Sequence, residues 1–138
     1  MVLKESLNHE MIEAGKTLID RLDEKGEAIP TALWLYSEEA NLWRLMLATP
    51  LVKSKGPRAA YKSIRSVLTH NQKEEPFNLN LSDITVVAPD DAVLEPFRVA
   101  LKKSGTARVR LSRTTVGGRF IDDAYVYRVH GIRNSNRP

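Results

Sequence analysis

Hydrophobic residues in the N-terminal segment recur at steps of three and four. Leu3, Leu7, Met11, Ala14, Leu18 and Leu22 make one face of an α-helix over residues 3–25, and Ile12 and Ile19 widen the stripe. The opposite face is charged, and Gly26 supplies the stop. Such a stripe is expected to pack on a sheet of the same chain; a helix-to-helix dimer seam is the alternative reading.

The stretch TALWLYSEEANLWRLMLATP (31–50) is apolar nearly throughout. As one helix it would carry Trp34, Tyr36, Trp43, Leu45 and Met46 on every side and need burial all round, which suits a small domain poorly. As two strands it makes sense. The polar break Ser37-Glu38-Glu39-Ala40-Asn41 has hairpin-loop length, and Thr49-Pro50 ends the second run. The sequence therefore predicts a hairpin, with Trp34, Tyr36 and Trp43 in the core rather than forming a stacking platform for bases.

Residues 57–70 read as a helix opened by Pro57 after Gly56, burying Ala60, Tyr61, Ile64, Val67 and Leu68. Residues 71–82 are polar and read as a loop. Ile84 to Ala88 is a β-branched strand. Asp90 suits a helix cap, but Pro96 breaks a helix interior, so the regular helix is expected from about Pro96 to Lys103, ended by Gly105. Ala107–Thr115 and Arg119–Val129 flank Gly117-Gly118, a strong hairpin signal. The last strand places Phe120, Ala124 and Val126 on one face and Ile121, Tyr125, Tyr127 and Val129 on the other, which marks an interior strand. The order α-β-β-α-β-α-β-β predicts a single α+β domain over residues 1–130, a mixed five-stranded sheet packed with helices, followed by a polar, frayed tail at 131–138.

Composition narrows the setting. The 138 residues contain no cysteine, which removes disulfides, thiolate metal sites and cysteine nucleophiles. The N-terminus lacks a secretory pattern and no apolar run is long enough to span a membrane, so a cytoplasmic protein without a membrane partner is expected. Net charge is +4 but unevenly spread: residues 1–30 hold four basic against seven acidic groups, and residues 107–138 hold seven arginines against two aspartates. That asymmetry points to a polyanion-facing region.

Catalytic patterns are missing. No Gly-rich phosphate loop or Gly-x-Ser-x-Gly occurs, and His9, His70 and His130 lack partners at metal-ligand spacing, so no cofactor, no metal and no catalytic residue is assigned. Asp122 and Asp123 alternate across a strand and do not readily share a metal. A hydrolase site joining one of them to Asp83 or Asp90 is the weakest of three readings. The strongest is basic. Lys53, Lys55 and Arg58 converge on the start of the 57–70 helix, where free N–H groups favour an anion. Arg58, Lys62 and Arg65 follow at i, i+4 and i+7 on one stripe, and Arg108 and Arg110 share one strand face. If the two surfaces adjoin, they form a groove for a phosphate backbone; a solvated face that only promotes solubility is the plain alternative.

Together, ALWLYSEEANLWRLMLATP, KGPRAAY and DDAYVYR resemble small bacterial proteins of unassigned function over residues 31–128. The resemblance implies an aromatic hairpin preceding the KGPR helix and transfers no functional residue. The expected function is non-enzymatic binding of nucleic acid or another polyanion through Lys53, Lys55, Arg58, Lys62, Arg65, Arg108 and Arg110. A protein-interaction module or homodimer using the N-terminal helix or a sheet edge is the alternative.

Overall fold

The structure, a computed structural model, describes residues 6–70, 79–101 and 108–129. Helix α1 runs from His9 to Lys25. It begins later than the stripe alone predicts because Asn8 caps it, its side chain accepting the Met11 N–H at 2.8 Å. Leu3 lies outside the described residues. Gly26 ends the helix at φ +92°, a conformation that L side chains rarely adopt.

Strands β1 (Thr31–Ser37) and β2 (Leu42–Ala48) are the predicted hairpin, paired in register from Thr31–Ala48 to Ser37–Leu42. In its turn Asn41 adopts φ +50° and its side chain accepts the Tyr36 hydroxyl at 2.5 Å. Then comes an element that the pattern did not predict, the five-residue helix α2 (Leu51–Lys55). Its apolar residues are too few to show a period, so only the cationic run was legible. Helix α3 (Pro57–His70) follows across Gly56, and a 3-10 turn at Leu81–Asp83 leads into β3 (Ile84–Val87). A second 3-10 turn, capped by Asp91, precedes α4 (Glu95–Ala100), where Pro96 sits in the first turn as its missing N–H requires. Lys102, Lys103 and Gly105, predicted to end this helix, lie outside the described residues, as does the 131–138 tail. β4 (Val109–Val116) and β5 (Arg119–Val129) form the final hairpin.

The sheet order is β3-β2-β1-β5-β4, with only β2 and β3 parallel. The fold is thus the mixed five-stranded α+β domain expected from the chain. Helices cover both faces. On one, α1 and α3 pack over Trp34, Leu45, Leu47, Ile84 and Tyr127. On the other, Leu94 of the second 3-10 turn and Phe97 of α4 pack over Leu33, Met46, Ala124 and Val126. β1 lies at the centre with both faces buried, which explains why its sequence shows no clean alternation. The apolar stripe of α1 is likewise spent on the sheet: Leu18, Ile19 and Leu22 are buried there. Among the described residues no helix is long and apolar enough to cross a membrane.

Strict alternation fails along β5. Tyr125 and Tyr127 share one face as expected, but Ile121 and Val129 join Ala124 and Val126 on the other. Near Val129 the cause is a register shift opposite Ala32 and Leu33, which inserts an extra residue into β5. Arg128 consequently turns toward α1, donating to the Ile29 carbonyl at 2.9 Å and pairing with Asp23. Opposite Asp122, Arg113 adopts φ +45° and the β4–β5 pairing skips that position.

Candidate functional site

Helix α3 stands between α1 and the β3 edge. On the α1 flank, the Lys25 ammonium donates to the Ser63 carbonyl and hydroxyl at 3.2 and 3.0 Å, and Ser63 donates to Glu27 at 3.0 Å. On the β3 flank, the Tyr61 hydroxyl accepts the Val86 N–H at 3.0 Å. β3 pairs only with β2, so this bond closes one otherwise open edge group.

Between α3 and the Leu81–Asp83 turn lies a cavity of about 470 Å³ lined by Arg58, Tyr61, Lys62, Arg65 and Leu81. The turn that carries Leu81 is fixed twice. Asn80 and Asp83 cap it reciprocally, and the Arg44 guanidinium donates to the Ser82 carbonyl at 2.8 Å. Among the described residues, no acidic side chain lines the cavity or forms an ion pair with Arg58, Lys62 or Arg65. The cavity thus has cations along one wall and Tyr61 and Leu81 as its apolar surface.

Three of the seven predicted contacts, Arg58, Lys62 and Arg65, therefore come together. Tyr61 was missed as a lining residue because it was assigned to the buried face. At 100° per residue it lies only 40° from Arg65, and it is half-buried on the boundary of the stripe. The remaining four contacts are placed differently. Lys55 is exposed on α2. Lys53 is ion-paired with Asp90, and this hydrogen bond holds the Asp90 carboxyl below its usual range. Arg108 is exposed just before β4, the sheet edge opposite β3 and about 19 Å away at the usual strand spacing. It does not line the α3 cavity.

Arg110 is committed elsewhere. Its guanidinium donates to both oxygens of Asp123, at 2.6 and 2.8 Å, and Ser112 donates to the same carboxylate at 2.8 Å. Asp123 is only 6% exposed, and the Arg110 guanidinium carbon stands 5.4 Å from the Trp43 ring centroid. The charge-assisted bonds to Asp123 raise the Arg110 pKa further. A signal for this pair was present: the two-residue Gly117-Gly118 turn fixes a register that puts Ser112 opposite Asp123 and Arg110 diagonal to it.

The aspartates show no convergence. Asp123 serves Arg110, Asp90 serves Lys53, and Asp83 closes its own turn. Among the described residues no three His, Cys, Asp or Glu side chains are grouped to hold a metal ion. Trp34, Tyr36 and Trp43 are core residues, at most 9% exposed. A second cavity of about 230 Å³ lies between α4 and the start of β5, lined by Pro96, Phe97, Phe120, Ile121 and residues of the first hairpin. Phe120, 63% exposed, stands at its rim.

No family model, curated protein or solved structure matches this chain, so the geometry of the α3 cavity is the basis on which its function is read.

Proposed function

We propose that this protein is a non-enzymatic binding protein for nucleic acid or another polyanion, and that the α3 cavity is its contact surface. One observation carries the reading: Arg58, Lys62 and Arg65 line a single cavity with no described carboxylate to neutralise them. Lys55, exposed at the end of α2 and three positions before Arg58, adds a further cation. Arg110 is not part of it, because its charge is matched by Asp123. Such a surface binds phosphates by releasing counterions, so affinity falls with salt.

The test is a salt-titrated binding assay with DNA, RNA and polyphosphate. Three phosphate contacts predict a log–log slope of about −2 to −3, depending on whether the ligand is a single strand or a duplex. The double variant Arg58→Ala/Arg65→Ala should flatten the slope to about −1 or less. Salt-independent binding, or no binding at low salt, removes the proposal.

A protein partner is the second reading, favoured by exposed Phe120 and Val99 near the β4–β5 turn and by the sheet edge at β4. Sedimentation at two concentrations checks its homodimer form, and a strict monomer rejects it.

A further inference from the structure

We infer that the ligand of the α3 cavity is a single nucleic-acid strand, held with one base against Tyr61 and Leu81 and its phosphates on Arg58, Lys62 and Arg65. The inference rests on the polyanion reading and narrows it to one ligand class.

The first argument is chemical. A chain of phosphates or sulfates alone needs only cations. This cavity also presents an aromatic ring and a leucine among its cations. A ligand that uses the whole lining needs an apolar planar part joined to an anion, and a nucleotide is that combination. Base–aromatic stacking tolerates any base, which agrees with a lining that offers few groups for reading base edges.

The second argument is shape. About 470 Å³ lies within the range of small-ligand sites and suits a unit of nucleotide size. A duplex keeps its bases stacked inside and offers none of them to Tyr61 and Leu81. A single strand can turn one base inward.

The third argument is preorganisation. The Tyr61 hydroxyl is tied to the Val86 N–H, and the turn carrying Leu81 is capped and held by Arg44. Both apolar surfaces are fixed before a ligand arrives, so binding does not have to order them. Along α3, Lys62 lies about 6 Å beyond Arg58 and Arg65 about 4.5 Å further. That spacing is comparable to the step between consecutive phosphates, so a strand running along the helix meets one cation per phosphate.

The experiment measures fluorescence anisotropy of the full chain with a labelled oligothymidylate. The comparison ligands are an abasic strand of equal length, a DNA duplex and polyphosphate. The variants are Tyr61→Leu, Tyr61→Phe and Arg58→Ala/Arg65→Ala. The oligothymidylate should bind the wild type roughly five- to hundredfold more tightly than the abasic strand, the range expected for one stacked base. Tyr61→Leu should remove that advantage and leave polyphosphate affinity within about twofold, whereas Tyr61→Phe, which keeps the ring but loses its tie to Val86, should retain most of it. Equal binding of abasic strand and oligothymidylate overturns the inference without relying on any variant that misfolds, as does a duplex that binds as tightly as the single strand. If either result accompanies salt-dependent binding that the double arginine variant weakens, the polyanion reading stands and only this inference falls. If no ligand binds, both fall.

Discussion

The Trp34 indole N–H donates to the Tyr127 hydroxyl at 2.9 Å, joining β1 to β5 in the middle of the core. The Tyr127 hydroxyl in turn donates to the Ile12 carbonyl of α1 at 2.6 Å, so three elements meet at one oxygen. Helix α1 comes this close because position 15 is glycine. A Cβ there would lie 2.3 Å from the Tyr127 oxygen and 3.0 Å from the indole nitrogen.

Gly15→Ala should therefore destabilise the protein. Alanine gains about 1 kcal/mol of helix propensity. Overpacking costs about 1–3 kcal/mol, and displacing the hydroxyl also breaks two buried hydrogen bonds at about 1 kcal/mol each. The cost wins. In a Tyr127→Phe background the blocking oxygen is gone, so the same substitution should cost less. Urea denaturation of the four-member cycle measures the coupling, and additivity would refute it.

The same tyrosine sets an alkaline limit. Burial raises the Tyr127 pKa well above its ordinary value of 10.0. Above pH 10 the unfolded chain gives up this proton while the folded one keeps it, so stability falls as pH rises, by up to about 1.4 kcal/mol per unit. Below pH 10 both states keep the proton and the contribution is constant. Denaturation midpoints from pH 8 to 11 should show the decline for the wild type and a shallower one for Tyr127→Phe.

Arg110 and Asp123 should behave as a structural pair. Asp123→Asn leaves the guanidinium without its counterion beside a buried amide. The pair is buried at the aspartate and half-exposed at the arginine, so the loss should fall at roughly 1–3 kcal/mol, between surface and buried pairs. Arg110→Ala should also lower the denaturation midpoint but leave polyanion affinity unchanged within twofold. A large affinity loss would return Arg110 to the binding surface.

Tyr61→Phe removes the acceptor for the Val86 N–H at the sheet edge. Hydrogen exchange of that amide should quicken while amides of β2 that face β1 hold their rates. The global cost should be about 0.5–1.5 kcal/mol. Unchanged exchange at Val86 would show that the hydroxyl does not protect the edge.

Much of this architecture was legible in the chain because its signals are local. The polar break at 37–41 marked the first hairpin, Gly117-Gly118 marked the second, and the four-residue step of leucines marked α1. What escaped depends on distant partners. Nothing near Tyr127 announces that Trp34 will meet it, and the extra residue that turns Arg128 toward Asp23 breaks an alternation the sequence alone presents as regular. The basic stripe of α3 was readable by helical spacing, whereas Leu81, which lines the same cavity, comes from a segment beyond the helix. The ion pair of Arg110 escaped because its partner Asp123 lies thirteen positions away, across the Gly117-Gly118 turn.

The strand order also has a consequence for how the molecule forms. β1 finds one neighbour almost at once, across a four-residue turn, but its other neighbour is the last strand of the sheet, and Trp34 waits 93 positions for Tyr127. As the chain emerges from a ribosome, the first hairpin and α3 can assemble while one side of the central strand stays open. The sheet becomes whole only when β5 slots between β1 and β4, so folding should be slow and close to all-or-none, with the open flank of β1 as the point where an incomplete chain is most prone to aggregate.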